Sequence, residues 1–300
     1  MAKIDTKYFE LIDKILKEGV YTQNRTGVPT YQIPFYTMEF DLQDEFPILT
    51  TKKVAFKTAA LEFLWIYQQQ TSDIRWLQER GIKIWDKWQI DEDGIYRKGP
   101  SGDIYFGIQY AFTAGKTYGA LIRDTEAVQN VIYKVKNIPT DRRIMIDLWN
   151  QEDFSKAVLP PCVFNHQFSV NGKYLNMVTN QRSCDVPVGV PFDFVQAALL
   201  LSTIAHCTGY KPGKILYVMT NVHIYENQLD KIEEQRKYLK DAKVAPKLWI
   251  NSEVEDFFKL DSSKECKDIK LENYEYCAVI NFPVSAWFRR IYVFNYCSSR

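Results

Sequence analysis

Hydrophobic spacing divides the chain into helical and extended stretches. Between Tyr8 and Glu18, Phe9, Leu11, Ile12, Ile15 and Leu16 recur at helical spacing, and Gly19 follows as a stop, which predicts an opening helix. Tyr31 to Leu42 shows mixed alternation and reads as a pair of strands. Lys57 to Gln69 is a strongly apolar helix with one carboxylate, Glu62, inside it. Gln89 to Gly119 carries glycines and charges without a period and is expected to be a long irregular stretch. Ala127 to Val135 reads as helix and Ile144 to Leu148 as strand, while Cys162 to Val170 and Tyr174 to Asn180 form a hairpin turning at Asn171-Gly172. Phe192 to Cys207 is too apolar for a surface helix and is expected in the core. Ile215 to Met219 is a further strand, and a last helix is expected to begin at His223 and run to Glu234. No repeat, low-complexity tract or linker breaks this order, so one large domain is expected over 1–300.

Composition narrows the partners. Lys+Arg 38 against Asp+Glu 37 gives a net charge of +1, which leaves no electrostatic footprint for nucleic acid or an anionic membrane. Any bound anion must be held locally. No apolar signal region opens the chain and no apolar run is long enough to cross a bilayer. The six cysteines lie far apart, without the close pairs of a metal or redox site. They are expected to be reduced thiols of a soluble cytoplasmic protein with no membrane, nucleic-acid or metal partner.

Candidate chemistry begins at Leu159-Pro160-Pro161-Cys162. Two prolines fix the backbone and present the thiol rigidly, which suits a nucleophile if cations lower its pKa. Alone, such a cysteine is more often a small buried hydrophobe. Gln181-Arg182-Ser183-Cys184-Asp185 offers a phosphate clamp, a bidentate guanidinium beside a hydroxyl. Asp141-Arg142-Arg143 and Asn24-Arg25-Thr26-Gly27 add two more arginine-bearing turns, and their number is what matters.

In order and spacing, the run of Pro160-Pro161-Cys162, Gln167-Phe168, Gln181 to Asp185, Gly189-Val190-Pro191-Phe192 and His223-Ile224-Tyr225, preceded by Asn24 to Gly27, resembles the thymidylate synthase superfamily. The match extends through Phe46 to Lys53, Ile84 to Trp88, Asp141 to Arg143, Asn273-Tyr274 and Pro283-Val284. The resemblance implies an α/β (α+β) fold, a mixed sheet flanked by helices, dimerising through sheet faces. It implies that Cys162 adds to C6 of a pyrimidine nucleoside monophosphate, making C5 nucleophilic toward the carbon carried by 5,10-methylene-tetrahydrofolate. Arg25, Arg182 and Ser183 would hold the phosphate with support from Gln181, joined by Arg142 and Arg143 from the other subunit of a homodimer. His223 and Tyr225 would bind the sugar hydroxyl, and Glu62 would organise water and proton transfer. Trp85, Asp185, Gly189 and Phe192 would line the folate site. Four arginines around one phosphate would also favour the Cys162 thiolate.

Several positions depart from the family pattern. Asp193 stands where uracil-specific members have asparagine, whose amide can donate to O4 and accept from N3–H. An ionised aspartate only accepts, which suits the 4-amino group of cytosine, as in the deoxycytidylate hydroxymethylases that share this aspartate. The favoured expectation is therefore a (deoxy)cytidylate 5-hydroxymethyltransferase or methyltransferase. The alternatives are a thymidylate synthase acting on dUMP with Asp193 protonated, and an inactive nucleotide- or RNA-binding homologue. Val163 follows the nucleophile where histidine is common. Phe106, before Gly107, stands where a tyrosine usually helps the C5 proton leave, and Asn221 replaces an aspartate. Residues 287–300 extend past the usual end, Pro283 to Ala286, whose closure excludes water. A wetter closure would give hydroxymethylation. Trp85-Asp86-Lys87-Trp88 instead looks like the methylating members.

Overall fold

A computed structural model describes residues 1–97 and 102–285; the 287–300 extension lies outside them. Helix α1 (Lys3–Glu18) forms where the spacing predicts it and buries Tyr8, Phe9, Leu11, Ile12 and Ile15. Its first turn is pinned by Asp5, whose carboxylate accepts from the backbone N–H and hydroxyl of both Thr50 and Thr51. That satisfies a buried carboxyl group and fixes the segment leading to Lys52.

Chain order then gives β1 (Val20–Thr22), β2 (Thr30–Asp41), α2 (Phe56–Phe63), α3 (Arg75–Glu79), β3 (Ile95–Tyr96), β4 (Ile104–Tyr105), α4 (Gly119–Arg123) and α5 (Ala127–Asn137). There follow β5 (Met145–Asp147), β6 (Val163–Asn171), β7 (Tyr174–Gln181), β8 (Cys184–Asp185), α6 (Gly189–Thr208), β9 (Lys211–Tyr225), α7 (Leu229–Arg236), β10 (Lys247–Ile250) and β11 (Ile269–Glu272). The main sheet runs β1-β2-β9-β7-β6-β5, with β8 also on β9. β9 is parallel to β7 and β8 and antiparallel to β2, so the sheet is mixed and flanked by helices, as the resemblance implies.

One face of the sheet carries the core. Tyr217, Met219, Ile215, Thr179, Met177 and His166 point into it, under α6, whose residues from Val190 to Cys207 are largely buried. By length and composition α6 could span a membrane, but it is the central core helix here. It ends at Gly209, where a φ of 79° requires the left-handed conformation that glycine adopts without strain. The opposite face has Phe35 67% exposed, with Met145 and Leu216 also exposed, and Thr37, Gln167, Val178 and Thr220 between them.

Three expectations need correction. Tyr31 to Leu42 is one strand, β2, because β9 pairs along nearly its whole length. Its mixed alternation marks a local irregularity: the register steps over Pro34, which has no N–H, and Asn221, which sits in the left-handed region at φ 51°. His223 does not start a helix either. β9 continues to Tyr225 because Tyr225 and His223 pair with Thr30 and Gln32 of β2, and α7 begins only at Leu229. The helix with Glu62 changes character after Phe63, and Leu64 to Gln68 form a π-helical turn with Gln69 N donating to Leu64 O. Such turns gather at functional sites.

Candidate active site

Cys162 ends the Pro-Pro segment and leads into β6. Its backbone N–H donates to Tyr118 Oη at 2.8 Å, and its carbonyl accepts from Arg182 N at 2.9 Å. Arg182 clasps the same segment from its side chain, with Nε on the Pro161 carbonyl and Nη2 on that of Pro160, both at 2.8 Å, and its guanidinium over Trp149. The β6–β7 register also shifts between Val163 and Asn165, directly after the thiol.

Burial pushes the Cys162 thiol above its ordinary pKa; Arg182 and then Arg25 oppose the rise, and Asp193 and Asp185 add to it. The expected field of four arginines is therefore not assembled in one chain. Arg142 and Arg143 are exposed beyond the edge strand β5, with Arg143 Nε held by Asp141.

A cavity of about 380 Å³ opens beside this segment, lined by Glu62, Trp85, Trp88, Tyr118, Gly189, Phe192 and Asp193, with Leu159, Val188 and Val284. Lys83 and Lys87 stand on its rim. Glu62 receives two donors, Trp85 Nε1 at 2.6 Å on one oxygen and Gln196 Nε2 at 2.7 Å on the other. Its surroundings are otherwise protein, and desolvation raises its pKa to about 7 despite both donors.

Asp193, on the first turns of α6, accepts from Gln181 Nε2 at 2.8 Å on Oδ2. Desolvation lifts it to about 7, with the Gln181 bond opposing and the charges of Glu62 and Asp185 adding to the rise. The sequence reading placed Gln181 at the phosphate. Its side chain instead points back to Asp193 and to Tyr217, whose hydroxyl donates to it at 2.7 Å.

On the other side of Cys162, β9 brings in His223 and Tyr225, both buried and in edge-to-face contact. His223 Nδ1 lies 2.8 Å from the Asn221 carbonyl, and burial holds the ring's pKa below its usual value, so it is neutral with Nδ1–H donating and Nε2 left to accept. The left-handed turn at Asn221 presents this carbonyl; nothing in the structure explains the asparagine in place of aspartate. Tyr225 is pushed up to about 12 by burial and hydrogen-bonds Thr26, which ties the Asn24 to Gly27 turn and Arg25 to the site. Ser183 is half-buried beside Arg182.

Asp185 stands apart from the cavity lining. It accepts from Gln228 at 3.1 Å, and burial raises it to about 6.

Phe106 is the clearest misplacement. Its N–H donates to the carbonyl of Gly94, just before β3, and it is not among the cavity residues. The tyrosine at the site is Tyr118, which also precedes a glycine. Tyr118 has φ 43°, and a Cβ on Gly119 would lie 2.5 Å from Thr71 N, so this Tyr-Gly pair is fixed by a close backbone approach. Lys116-Thr117-Tyr118-Gly119 was the available signal. Gln196 and Tyr217 were missed as well, since an amide and a phenol inside apolar runs carry no motif. Lys52, inside the Phe46 to Lys53 run, is buried, donates to the Pro187 carbonyl and sits over Phe282.

Two carboxyl groups raised toward neutrality, a tyrosine and two lysines line one cavity, and that tyrosine, Tyr118, holds the backbone of Cys162 on the adjoining segment. The thymidylate synthase family model matches residues 6–286. A thymidylate synthase of Clostridium beijerinckii is 41% identical over 285 residues, covering 95% of this chain and all of the relative. One of Bacillus mojavensis is 34% identical over 295 residues, with 95% and 100% covered. The chain belongs to the thymidylate synthase family.

The family uses 5,10-methylene-tetrahydrofolate, and the residues present fit it: indole, phenol and phenyl walls suit flat heterocycles, and two lysines suit an anionic tail. Both relatives carry the thymidylate synthase name, and neither is named a hydroxymethylase.

Proposed function

We propose that the chain methylates C5 of deoxyuridylate, with 5,10-methylene-tetrahydrofolate supplying the carbon and the reducing hydride. The observation that carries this reading is Asp193 on the cavity wall with Gln181 donating to one of its oxygens, where burial raises the carboxyl toward its neutral form. A neutral carboxylic acid donates through O–H and accepts through C=O, so it can replace the amide that pairs with O4 and N3–H of uracil. Cys162, steered by Arg182 and Arg25, adds to C6. Arg25, Arg182 and Ser183 hold the phosphate, and His223 and Tyr225 hold the sugar hydroxyl. Tyr118 and Glu62 handle the proton that leaves C5, Glu62 being able to hold or release it near neutral pH. Trp85, Gly189 and Phe192 hold the folate, with Asp185 behind them.

The chain is read as one cytoplasmic catalytic domain that works as a homodimer. The uncovered sheet face supports pairing, and exposed Arg142 and Arg143 would then complete the partner's phosphate site. Mixing Cys162→Ala and Arg142→Ala chains should restore part of the activity each lacks.

One observation favours a second reading. The ionised form of Asp193 only accepts and suits cytosine, which would make the chain a cytidylate methyl- or hydroxymethyltransferase. Release of C5 tritium from labelled dUMP and dCMP, with mass spectrometry of the products, tests both. Turnover of dUMP to dTMP is expected; turnover confined to cytosine nucleotides would replace the first reading with the second.

A further inference from the structure

Behind Asp193 runs a chain of hydrogen bonds that the roles above do not use. Tyr217, fully buried on β9, donates to Gln181 Oε1 at 2.7 Å. Gln181 Nε2 in turn donates to Asp193 Oδ2 at 2.8 Å and to the Ser183 carbonyl at 3.0 Å. Reversing this amide would set Oε1 against a carboxylate and a carbonyl, two acceptor–acceptor contacts in a buried place, so its direction is fixed. Oδ2 therefore always receives an N–H. Oδ1 has no donor among the described residues, and Asp193 lines the cavity. In a carboxylic acid the carbonyl oxygen is the better acceptor, so the oxygen that receives the Gln181 N–H is the carbonyl and the acid's proton sits on Oδ1.

We propose that Tyr217 and Gln181 are positioning residues for base selection: they assign the Asp193 proton to Oδ1, which donates to the 4-oxo group of a uracil nucleotide when protonated and accepts from the 4-amino group of a cytosine nucleotide when ionised. The inference rests on the reading that Asp193 faces the pyrimidine. One chain would then take either base, in proportions set by pH.

The titratable groups around Asp193 are Glu62 from α2, Asp185 and Cys184 from β8, Cys162 before β6, and the phenols Tyr67, Tyr118 and Tyr217. Ionised Glu62 and Asp185 favour keeping the proton, and the Gln181 bond counters the desolvation. Rising pH through about 7 removes the donor and leaves the acceptor.

The test is the ratio of kcat/KM for dUMP to that for dCMP at pH 6 and pH 8, in the wild type, Tyr217→Phe, Gln181→Met and Asp193→Asn. In the wild type the ratio should fall roughly tenfold or more between the two pH values. Tyr217→Phe loses one oxygen and unties the amide, so the ratio at pH 6 should drop about five- to tenfold and depend less on pH. Gln181→Met should do the same more strongly. A purely structural role would lower both substrates together and leave the ratio untouched.

If Asp193→Asn changes the ratio while Tyr217→Phe and Gln181→Met keep the wild-type value at both pH values, the inference is overturned and the reading beneath it stands. If Asp193→Asn leaves the ratio unchanged, Asp193 does not face the base and both fall. Should a variant bind without turnover, the ratio of Kd values for the two nucleotides decides in the same way.

Discussion

Glu62 and Asp193 line the same cavity and are both raised to about 7 by desolvation, yet they are held differently. Both oxygens of Glu62 receive a donor, from Trp85 and Gln196. Among the described residues, one oxygen of Asp193 does, from Gln181. A carboxyl capped at both ends is fixed in place and acts by holding or passing a proton. A carboxyl capped at one end leaves the other free to recognise something. The difference separates a group suited to chemistry from one suited to selection, although charge and burial alone would class them together.

That separation can be broken in order of effect. Cys162→Ala removes the nucleophile both groups serve and should abolish tritium release with either base, by at least about a thousandfold. Glu62→Gln should lower kcat for dUMP and dCMP alike, by about a hundredfold, because proton transfer does not depend on the 4-substituent. Asp193→Asn should instead move the dUMP to dCMP ratio by about a hundredfold or more toward uracil at pH 8, with a smaller loss of rate. If both substitutions affect rate and ratio equally, the two carboxyls do not divide the work.

Stability should respond to the feature they share. Each carboxyl titrates in the unfolded chain near its ordinary value of about 4 but near 7 in the folded protein. Between those values the folded state binds more protons, so stability falls as pH rises from about 4 to 7. Asp193→Asn and Glu62→Gln should relieve this, raising stability at pH 8 by on the order of 2–4 kcal/mol each, less where cavity water screens the charge, and by little at pH 4. Denaturant melts at both pH values check it. The smallest effect belongs to Gln196→Met, which uncaps one oxygen of Glu62 and should raise the alkaline limb of kcat without changing the base ratio.

The sequence is legible where local spacing and tertiary burial agree. α1, the β6–β7 hairpin and α6 lie close to where periodicity puts them, because each buries the stripe that predicts it. His223 and Tyr225 were assigned to a helix because nothing local announces that β2 will pair with them. Cys162, Arg182 and Glu62 were identified through motifs; the fold lines one cavity with Glu62 and Asp193 and puts Cys162 within the electrostatic reach of Arg182 and Asp193. Tyr118 was missed because two Tyr-or-Phe–Gly pairs lie within one irregular stretch, and only the fold shows which one approaches Thr71. Gln181 was legible as a residue but not as a contact: its neighbours Tyr217 and Asp193 are far off in sequence.

The most direct measurement is the pH profile, from pH 6 to 8.5, of kcat/KM for dUMP divided by that for dCMP, a ratio in which the Glu62 titration common to both bases cancels, in the wild type beside Asp193→Asn. A fall of about tenfold per unit above pH 7 in the wild type, absent in the asparagine variant, is the predicted result. A wild-type profile that stays level to pH 8.5, or one that the variant reproduces, would contradict the claim that a proton on Asp193 reads the base.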